Sequence, residues 1–226
     1  MKNTLCMAGL SLLLTASVWA QGSFKDGPYF AYPDGGDVQN GRAGLGWQVA
    51  YEWTEFLSAE LSATRVKDKL DELSVLPPPY SSTFDLELFS IALGGRLSYP
   101  VGPVSLYAGG GIGYYLLRTD SGRVNRSIRE HREALPAGVS DLQVSGDINN
   151  SFGYHTTIGA EWRLARHWEI FADYRLIFLD SRITYRHTET RRFPGESPAF
   201  SRSTERHTED FRYDHGLVRI GLHYRF

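Results

Sequence analysis

The chain has 226 residues, and its 24 basic and 26 acidic side chains leave a formal net charge of −2, which argues against a general nucleic-acid-binding protein. It is rich in glycine, tyrosine and phenylalanine, with 23, 13 and 12 residues respectively. After the first twenty residues, no stretch approaches the roughly 18 consecutive apolar residues that a membrane-spanning helix needs. If the protein lies in a membrane, it must therefore cross as a β-barrel.

Residues 1–20 have the pattern of a secretory signal peptide. Lys2 precedes an apolar run from Met7 to Leu14, and the small residue Ala20 is suitable for cleavage. The single cysteine, Cys6, would be removed with this segment, so we expect residues 21–226 to form one cysteine-free domain. Such an extracytoplasmic domain must be stabilised by a full core or by a membrane rather than by disulfides.

Apolar and polar residues alternate at period 2 in eight segments, which predicts eight β-strands because helical spacing cannot produce this separation. In chain order the segments are 27–33, 41–53, 57–66, 84–99, 104–118, 151–164, 168–180 and 214–226. The first is the weakest, because its two prolines restrict backbone donors. The fourth changes phase near Leu88 and Phe89, which predicts a bulge or an irregular pairing at that point.

The connections between these segments alternate in length. Short turns are predicted at about 54–56, 100–103 and 165–167, and longer polar connections at about 34–40, 67–83, 119–150 and 188–210. Strict alternation puts all the short connections at one end of a barrel. Bacterial outer-membrane barrels have this arrangement, with short periplasmic turns and long external loops.

The two faces of the predicted strands differ in chemistry. One face is apolar, and its length matches the ~9 to 11 residues that a tilted strand needs to cross a membrane. The other carries charges, namely Arg42, Glu52, Glu60, Arg96, Glu161, Arg163, Glu169, Asp173, Arg175, Arg219 and Arg225. A soluble lipocalin would have the reverse polarity, so we expect the apolar face to meet lipid. Aromatic residues beside the short turns and the C-terminus predict a girdle at the periplasmic interface, formed by Trp53, Tyr99, Trp162, Trp168, Tyr224 and Phe226.

Three segments carry a family resemblance: the glycine-rich strand 104–114, the segment 171–180 (FADYRLIFLD) and the closing strand 221–226 (GLHYRF). With them, the chain resembles the small eight-stranded outer-membrane barrels of the OmpA, OmpX and opacity-protein type, over nearly all of residues 21–226. The resemblance implies an antiparallel up-and-down barrel in a Gram-negative outer membrane, with both termini periplasmic. It further implies a monomer in contact with lipid and lipopolysaccharide, whose C-terminal strand, ending at Phe226, is read by the outer-membrane assembly machinery.

Eight strands enclose a lumen that side chains can fill. Buried charges must be paired, because desolvating an isolated charge is very costly. On the predicted register five acids face six arginines, so we expect a salt-bridged plug rather than a diffusion pore, with a narrow channel as the alternative.

A second alternative is a lipid A acyltransferase or deacylase, since barrels of this kind include such enzymes, with catalytic residues near the external rim. His155 and His215 are predicted to point inward near the outer end, with Ser151 and Asp214 close to them in sequence. Two histidines without a recognisable catalytic motif are better explained as hydrogen-bonded rim groups. The favoured prediction is a protein without enzymatic activity, cofactor, metal or nucleic-acid partner.

The long connections are the remaining candidates for function, because loops on a rigid scaffold often carry binding residues. The sequence RHTE occurs at 186–189 and 206–209, on two arms that could pair as a hairpin above the membrane. His187 and His207 could share a metal, but solvated histidines are the favoured explanation. The segment 124–135 has helical character without a clean apolar face. Near the external rim, arginines predicted to bind lipopolysaccharide phosphates are Arg65, Arg118, Arg182 and Arg186. A host surface is the other partner considered for the loops.

Overall fold

The structure, a computed structural model of the protein, describes residues 22–34, 42–70, 84–135, 138–192 and 200–226. The predicted signal peptide and parts of all four predicted long connections lie outside these residues, so the signal peptide stays a prediction. No helix in the described ranges is long and apolar enough to cross a membrane.

Antiparallel strands make up nearly all of the described structure. The strands are β1 (Ser23–Asp34), β2 (Arg42–Glu52), β3 (Leu57–Leu70), β4 (Phe84–Val101), β5 (Val104–Asp120), β6 (Val139–Ile148), β7 (Ser151–Arg163), β8 (Trp168–Arg192) and β9 (Phe200–Arg225). Helix α1 (Gly122–Glu130) and a short 3-10 turn (Arg132–Ala134) stand between β5 and β6. All of the predicted strands are present, and several are longer than predicted.

Eight of the nine strands close into a ring, in the order β1, β2, β3, β4, β5, β7, β8, β9 and back to β1. The closing pair extends from Lys25 opposite Arg225 to Asp34 opposite Gly216. The predicted seam between the first and last strands is thus confirmed, and it leaves no strand edge exposed to lipid within the ring. Strand β1 begins four residues before the predicted start, which adds Lys25 to the wall of the lumen.

The ninth strand, β6, lies outside the ring. It pairs with the outer part of β8, from Ile148 opposite Ile183 to Val139 opposite Arg191. The long connection predicted over 119–150 is present, and its helical character is confirmed by α1, but β6, a strand that continues the wall above the ring, is not predicted. The predicted pairing of the RHTE arms is confirmed, and β8 and β9 continue as a hairpin far beyond the predicted ends of the strands.

The predicted irregularity near Leu88 and Phe89 is wrong. Strand β4 pairs with both of its neighbours in unbroken register, and Leu88 points inward while Phe89 points outward, as regular alternation requires. The change is chemical: the inward positions are polar at Ser90 and Arg96 but apolar from Leu88 to Phe84. We infer that the strand leaves the lipid at this point. Within the lipid its apolar residues point outward, and above the lipid they point into the lumen, while the backbone pairing continues without a break.

An irregularity lies instead in β2. The register between β2 and β3 shifts between Arg42 and Leu45, and Arg42 then stands opposite Lys67 on the exposed face. The expectation that Arg42 points into the lumen is therefore wrong, because one extra residue in a strand turns every residue beyond it to the other face.

The glycine-rich sequence of β5 makes room for a tyrosine ring in the lumen. A Cβ atom at Gly113 would lie 2.9 Å from the Tyr115 ring, and one at Gly153 on β7 would lie 3.1 Å from the same ring. The ring therefore lies flat against two bare backbones, and a larger residue at either position would displace it.

Candidate functional sites in the lumen and on the extracellular wall

The inner half of the lumen, next to the short turns, is filled by ion pairs. The ammonium group of Lys25 contacts three carboxylates, at 2.6 Å from Glu52, 2.9 Å from Glu161 and 2.5 Å from Glu169. Arg225 approaches from β9 and contacts Glu52 at 3.0 Å and Glu169 at 3.5 Å. Each carboxylate in this group is thus held by at least one cation, which is the condition for placing charges out of water.

A second group of ion pairs lies further into the lumen. Arg219, which is fully buried, donates from Nε and Nη2 to the two oxygens of Asp173 at 2.7 and 2.6 Å. Its Nη1 contacts Glu60 at 3.2 Å, and the same carboxylate accepts a hydrogen bond from Arg175 and lies 3.5 Å from Arg96. This forked geometry fixes both partners, because guanidinium and carboxylate are planar.

The two groups are joined into one network. Arg96 contacts Glu161 at 2.5 Å, and its guanidinium lies 4.0 Å above the ring of Tyr107, whose hydroxyl donates to Asp173 at 2.7 Å. His223 lies 3.5 Å from Glu161. We call the whole set the charged layer: Lys25, Glu52, Glu60, Arg96, Glu161, Glu169, Asp173, Arg175, Arg219 and Arg225.

The structure brings together most of the residues that the sequence predicted for the lumen. In the charged layer lie Glu52, Glu60, Arg96, Glu161, Asp173, Arg175 and Arg219. Arg163 does not belong to it: its side chain is 57% exposed at the rim and reaches Glu169 at 3.4 Å. Lys25 is not among the predicted lumen charges, because it lies before the predicted first strand, which begins at residue 27. The alternation itself points to Lys25, because it lies four positions before the inward Tyr29 and therefore on the same face of the strand.

The outer half of the lumen is filled by apolar side chains. We call this set the apolar plug: Val66, Phe84, Leu86, Leu88, Tyr115, Leu117, Val124, Ile128, Leu142, Val144, Ile148, Ile177, Leu179, Ile183, Tyr185, Tyr213 and Leu217. On β3, β4, β8 and β9 its members continue the inward rows that carry the charged layer, while β5, β6 and α1 supply the others.

Helix α1 covers the apolar plug. Val124 and Ile128 stand one turn apart and are both buried, so the helix has the narrow apolar face that its sequence did not suggest. The side chain of Asn125 accepts from the backbone N–H of Val144 at 2.9 Å and donates to the backbone oxygen of Val144 at 2.8 Å. The Asn125 side chain thereby satisfies two backbone groups on the edge of β6 and holds α1 against that strand.

The two rim histidines lie between the charged layer and the apolar plug. His155 on β7 and His215 on β9 are both opposite Ile177 of β8, so a whole strand separates them. His155 is buried, and the His215 ring stacks on Tyr213 at 4.1 Å with Nε2 4.0 Å from Asp68. Each histidine therefore belongs to the packing of a different strand.

The nucleophile and acid predicted near them lie elsewhere. The hydroxyl of Ser151 donates to the backbone oxygen of Asp180 at 2.7 Å, at the outer surface. Asp214 is on the outward face of β9, where Arg212 contacts it at 2.8 Å. The structure does not bring these two residues together with His155 or His215.

Aromatic residues form two bands on the outer surface. At the short-turn end the structure places Trp53, Tyr99, Trp162, Trp168, Tyr224 and Phe226, with Tyr224 at ring distances of 5.1 Å from both Trp168 and Phe226. A second band, not predicted from the sequence, lies further along the strands: on β7, Tyr154 is eight residues from Trp162, or about 26 Å along the strand. There the rings of Tyr114 and Phe152 are 4.9 Å apart, and those of Tyr154 and Phe178 are 4.8 Å apart. The two bands mark the two interfaces of the lipid.

A charged cavity of about 450 Å³ lies on the outer wall of β3, β4 and β5, above the lipid edge. One side is the cross-strand row Lys67, Glu87 and Arg118, and the other is the row Lys69, Asp85 and Asp120. Arg65, one row nearer the lipid, donates a hydrogen bond to Glu87 and thereby lowers the pKa of that carboxyl.

The four arginines predicted for lipopolysaccharide are thus divided between two places. Arg65 and Arg118 flank Glu87 at the charged cavity, whereas the other two lie on the β8–β9 hairpin. Arg182 contacts Asp210 at 3.4 Å, and Arg186 stands opposite Arg206.

The two histidines of the RHTE arms are neighbours on the hairpin. Their ring centroids are 5.8 Å apart, and partial burial together with the proximity of His207 lowers the pKa of His187. Among the described residues there is no group of three or more His, Cys, Asp or Glu side chains that could hold a metal ion.

A closed antiparallel ring with a lipid-facing apolar band, two aromatic bands and a charged lumen defines a transmembrane β-barrel of the outer-membrane type. Over residues 6–226 the chain matches the family described as the outer membrane protein beta-barrel domain, and it belongs to that family. It is therefore an outer-membrane β-barrel protein of a Gram-negative bacterium.

Solved structures agree with this fold. The chain is similar to the outer membrane protein OprG from Pseudomonas aeruginosa, with 16% identity, a TM-score of 0.60, and coverage of 91% of this chain and 96% of that one. It is also similar to the outer membrane protein AlkL, with 16% identity, a TM-score of 0.53 and 92% coverage of each chain. A major outer membrane protein from Thermus thermophilus has 13% identity and a TM-score of 0.53, with 91% of this chain and 100% of that chain covered. A comparison with curated protein sequences finds no match.

Proposed function

We propose that this protein is a non-enzymatic surface barrel whose lumen is closed to solutes and whose extracellular part makes contacts outside the cell. The observation that carries the proposal is the filling of the lumen by two successive sets of side chains, the charged layer and the apolar plug. An ion or sugar would have to separate paired buried charges and then pass through packed apolar groups. Both steps are costly, so a narrow channel is disfavoured.

Conductance in planar bilayers tests the closed lumen. Purified protein should give no steady single-channel current and no uptake of small sugars in a liposome-swelling assay. As a control, unboiled and boiled samples of the same preparation should migrate differently on a gel, as folded barrels do. This control shows that a lack of current is not caused by unfolded protein. Steady currents from such a preparation, together with sugar uptake, would make the protein a channel.

The absence of enzymatic activity is part of the proposal. It is supported by the separation of His155, His215, Ser151 and Asp214, because nucleophilic catalysis needs a nucleophile and base within hydrogen-bond reach. Lipid A from cells that express the protein should have the same mass spectrum as lipid A from cells without it. A new acylation state that disappears with His155→Ala or His215→Ala would establish an enzyme instead.

The charged cavity on β3, β4 and β5 supports a contact with lipopolysaccharide. Its cations lie just above the row of Phe89 and Leu116, where the phosphates of the outer leaflet are expected. Lys67 and Arg118 stand on either side of Glu87, whose carboxylate Arg65 binds, and among the described residues neither forms an ion pair of its own, so both can contact lipopolysaccharide phosphates.

Retention of lipopolysaccharide during detergent extraction tests this contact. Lys67→Ser combined with Arg118→Ser should reduce the lipopolysaccharide that copurifies with the barrel by about threefold, since each contact is solvent-exposed. Arg163→Ser is the matched control, because Arg163 is an exposed cation at the opposite, periplasmic rim. If the wild type and the double variant retain equal amounts of lipopolysaccharide, the charged cavity does not bind it.

The remaining proposed partners follow from the position of the C-terminal strand and the hairpin. We propose that β9 engages the assembly machinery, that the barrel works as a monomer, and that the external hairpin reaches a surface ligand. Phe226 donates its backbone N–H to Phe24 at 3.0 Å and so completes the seam. Phe226→Ala should slow the appearance of the heat-modifiable form in pulse-labelled cells, while Leu164→Ala, an exposed apolar residue at the same end, should not.

A further inference from the structure

The outward face of the β8–β9 hairpin carries an arginine pair between two threonine pairs. Thr184 stands opposite Thr208, Arg186 opposite Arg206, and Thr188 opposite Thr204. Side chains alternate between faces along a strand, so these three rows share one face, while Ile183 and Tyr185 point into the apolar plug. The arginine pair is exposed to solvent.

Hydroxyl groups surround the arginine pair. The hydroxyl oxygens of Thr184 and Thr208 are 3.3 Å apart, and those of Thr188 and Thr204 are 3.2 Å apart. Within each pair one hydroxyl donates to the other, which leaves the second proton able to point elsewhere. Ser145 on β6 stands beside Arg186 and adds a further hydroxyl. The two guanidinium groups thus have hydrogen-bond donors on both sides along the hairpin.

The charge of this pair is not compensated. Like charges directly opposite each other destabilise a pair of strands. Nearer the membrane on the same face the arginines have acids, since Arg182 contacts Asp210 at 3.4 Å and Arg212 contacts Asp214 at 2.8 Å. Arg186 and Arg206 have no ion pair or hydrogen bond from their side chains within the described ranges.

The acids near the arginine pair do not neutralise it. Glu205 and Glu209 stand opposite His187 and Ile183, and therefore lie on the other face of the hairpin. On the same face, Asp147 of β6 stands opposite Thr184, one row away, and forms no ion pair with the arginines. The site has two adjacent cations, several hydroxyls and an open side.

We propose that Arg186 and Arg206, with the threonines on either side, bind a phosphate or sulfate ester carried by a saccharide. Two planar guanidinium groups match the oxygens of a tetrahedral anion, and hydroxyl donors complete its coordination. The pair lies eight residues beyond Phe178 of the outer aromatic band, or about 26 Å along the strand. This distance places it among the sugars above the membrane and beyond the lipid headgroups. This inference rests on the proposed surface role, because it requires the β8–β9 hairpin to be on the outside of the cell.

Calorimetry on protein in lipopolysaccharide-free detergent micelles tests the site. The probes are a phosphorylated core oligosaccharide released from rough lipopolysaccharide, the same oligosaccharide after phosphatase treatment, and dextran sulfate. Arg186→Thr with Arg206→Thr should weaken binding of the charged probes about tenfold or more, because two charge-assisted contacts are lost. Both substitutions extend a threonine ladder on exposed strand positions, so folding should be retained.

Arg182→Thr with Arg212→Thr is the matched control. It removes the same charge from the same face of the same strands, but takes away arginines that are already paired, so binding should weaken by no more than about twofold. Arg186→Lys with Arg206→Lys keeps the charge and removes the planar fork, and should give an intermediate loss. Equal weakening by the two threonine doubles, wild-type binding by the lysine double, or unchanged affinity after phosphatase treatment would each overturn the proposal.

The two charged probes separate the sources of the ligand. Tight binding of the core oligosaccharide assigns the site to lipopolysaccharide, and binding of dextran sulfate alone assigns it to a sulfated polysaccharide from outside. If the wild type binds neither probe, the proposed phosphate or sulfate ester site is wrong, but the proposal of a closed lumen is unaffected. Channel currents would overturn the closed lumen and leave these affinities unchanged, so the two proposals fail separately.

Discussion

The inner and outer halves of the lumen are built on the same strands yet hold opposite chemistry. On β8 the inward residues Asp173 and Arg175 belong to the charged layer, and the next two inward residues, Ile177 and Leu179, belong to the apolar plug. The outward residues change in the opposite sense a few residues further along, from the lipid-facing Leu176 and the aromatic Phe178 to polar residues that begin at Asp180.

The difference shows that the medium outside the barrel wall, lipid or water, determines whether a polar or an apolar interior is favoured. Within the membrane, lipid is as apolar as a protein core, so burying apolar side chains in the lumen gains little and polar networks can occupy it. Above the membrane, the outside is water, and the hydrophobic effect favours an apolar interior. One continuous set of strands therefore has two kinds of core.

The largest expected effect comes from breaking the charged layer. Arg219→Met should leave Asp173 and Glu60 with buried charge that is no longer balanced, and should lower the free energy of unfolding by about 3 to 5 kcal/mol. Urea unfolding in phospholipid vesicles, followed by tryptophan fluorescence, measures this loss. Arg163→Met removes an exposed rim arginine and should cost less than about 1 kcal/mol. Equal losses from the two variants would mean that the charged layer adds nothing to stability.

A cavity in the apolar plug should have the next largest effect. Leu88 is fully buried, so Leu88→Ala should lower the free energy of unfolding by about 2 to 4 kcal/mol, because the surrounding side chains collapse only in part. Leu93→Ala, on the lipid-facing side of the same strand, should cost less, since acyl chains can fill the space. A larger loss at Leu93 than at Leu88 in the same urea titration would contradict the two-core description.

Helix α1, which covers the apolar plug, should be open to destabilisation without any effect on the ring of eight strands. Asn125→Ala removes both hydrogen bonds to Val144, and should destabilise the attachment of α1 by about 1 to 2 kcal/mol. Amides of residues 122–130 should then exchange hydrogen faster, while the urea midpoint of the barrel stays unchanged. Arg126→Ala, an exposed change in the same helix, serves as the control. Unaltered exchange in α1 would show that the apolar contacts of Val124 and Ile128 are sufficient.

The smallest expected effect is a pH dependence at the top of the hairpin. Burial lowers the pKa of His187 in the folded protein, so the unfolded hairpin takes up the proton first as the pH falls. The stability that neutral His187 contributes is present above its unfolded pKa of about 6.5 and is lost as the pH falls below that value. Hydrogen exchange around 185–188, corrected for the intrinsic rate, should accelerate between pH 7.5 and 5, and His187→Gln should remove the acceleration. The same acceleration in His187→Gln would assign the effect to other groups.

Much of the fold could be predicted from alternation alone. Whether a residue such as Glu60 or Arg219 points inward depends only on its parity within a strand, and the sequence shows that parity directly. The errors arose where parity was interrupted or extended. Arg42 lies beyond a bulge that depends on pairing with β3, and Lys25 lies on a stretch of β1 that forms because β9 pairs with it.

The outer part of the protein was harder to predict, because its apolar pattern is reversed. The apparent change of phase at Leu88 and Phe89 is produced by the end of the lipid, and a sequence does not show where the lipid ends. The sequence does not predict strand β6, because β6 belongs to no membrane-spanning segment and is held in place by its pairing with β8.

By itself, the sequence determined the class of protein, the strands of the ring and the inward positions of most lumen charges, because these depend on the period of alternation along each strand. The tertiary structure alone decided which charges meet, how α1 and β6 close the apolar plug, and which arginines of the hairpin lack an acid. These features depend on the register between strands that are far apart in sequence, and that register is set only when the ring closes.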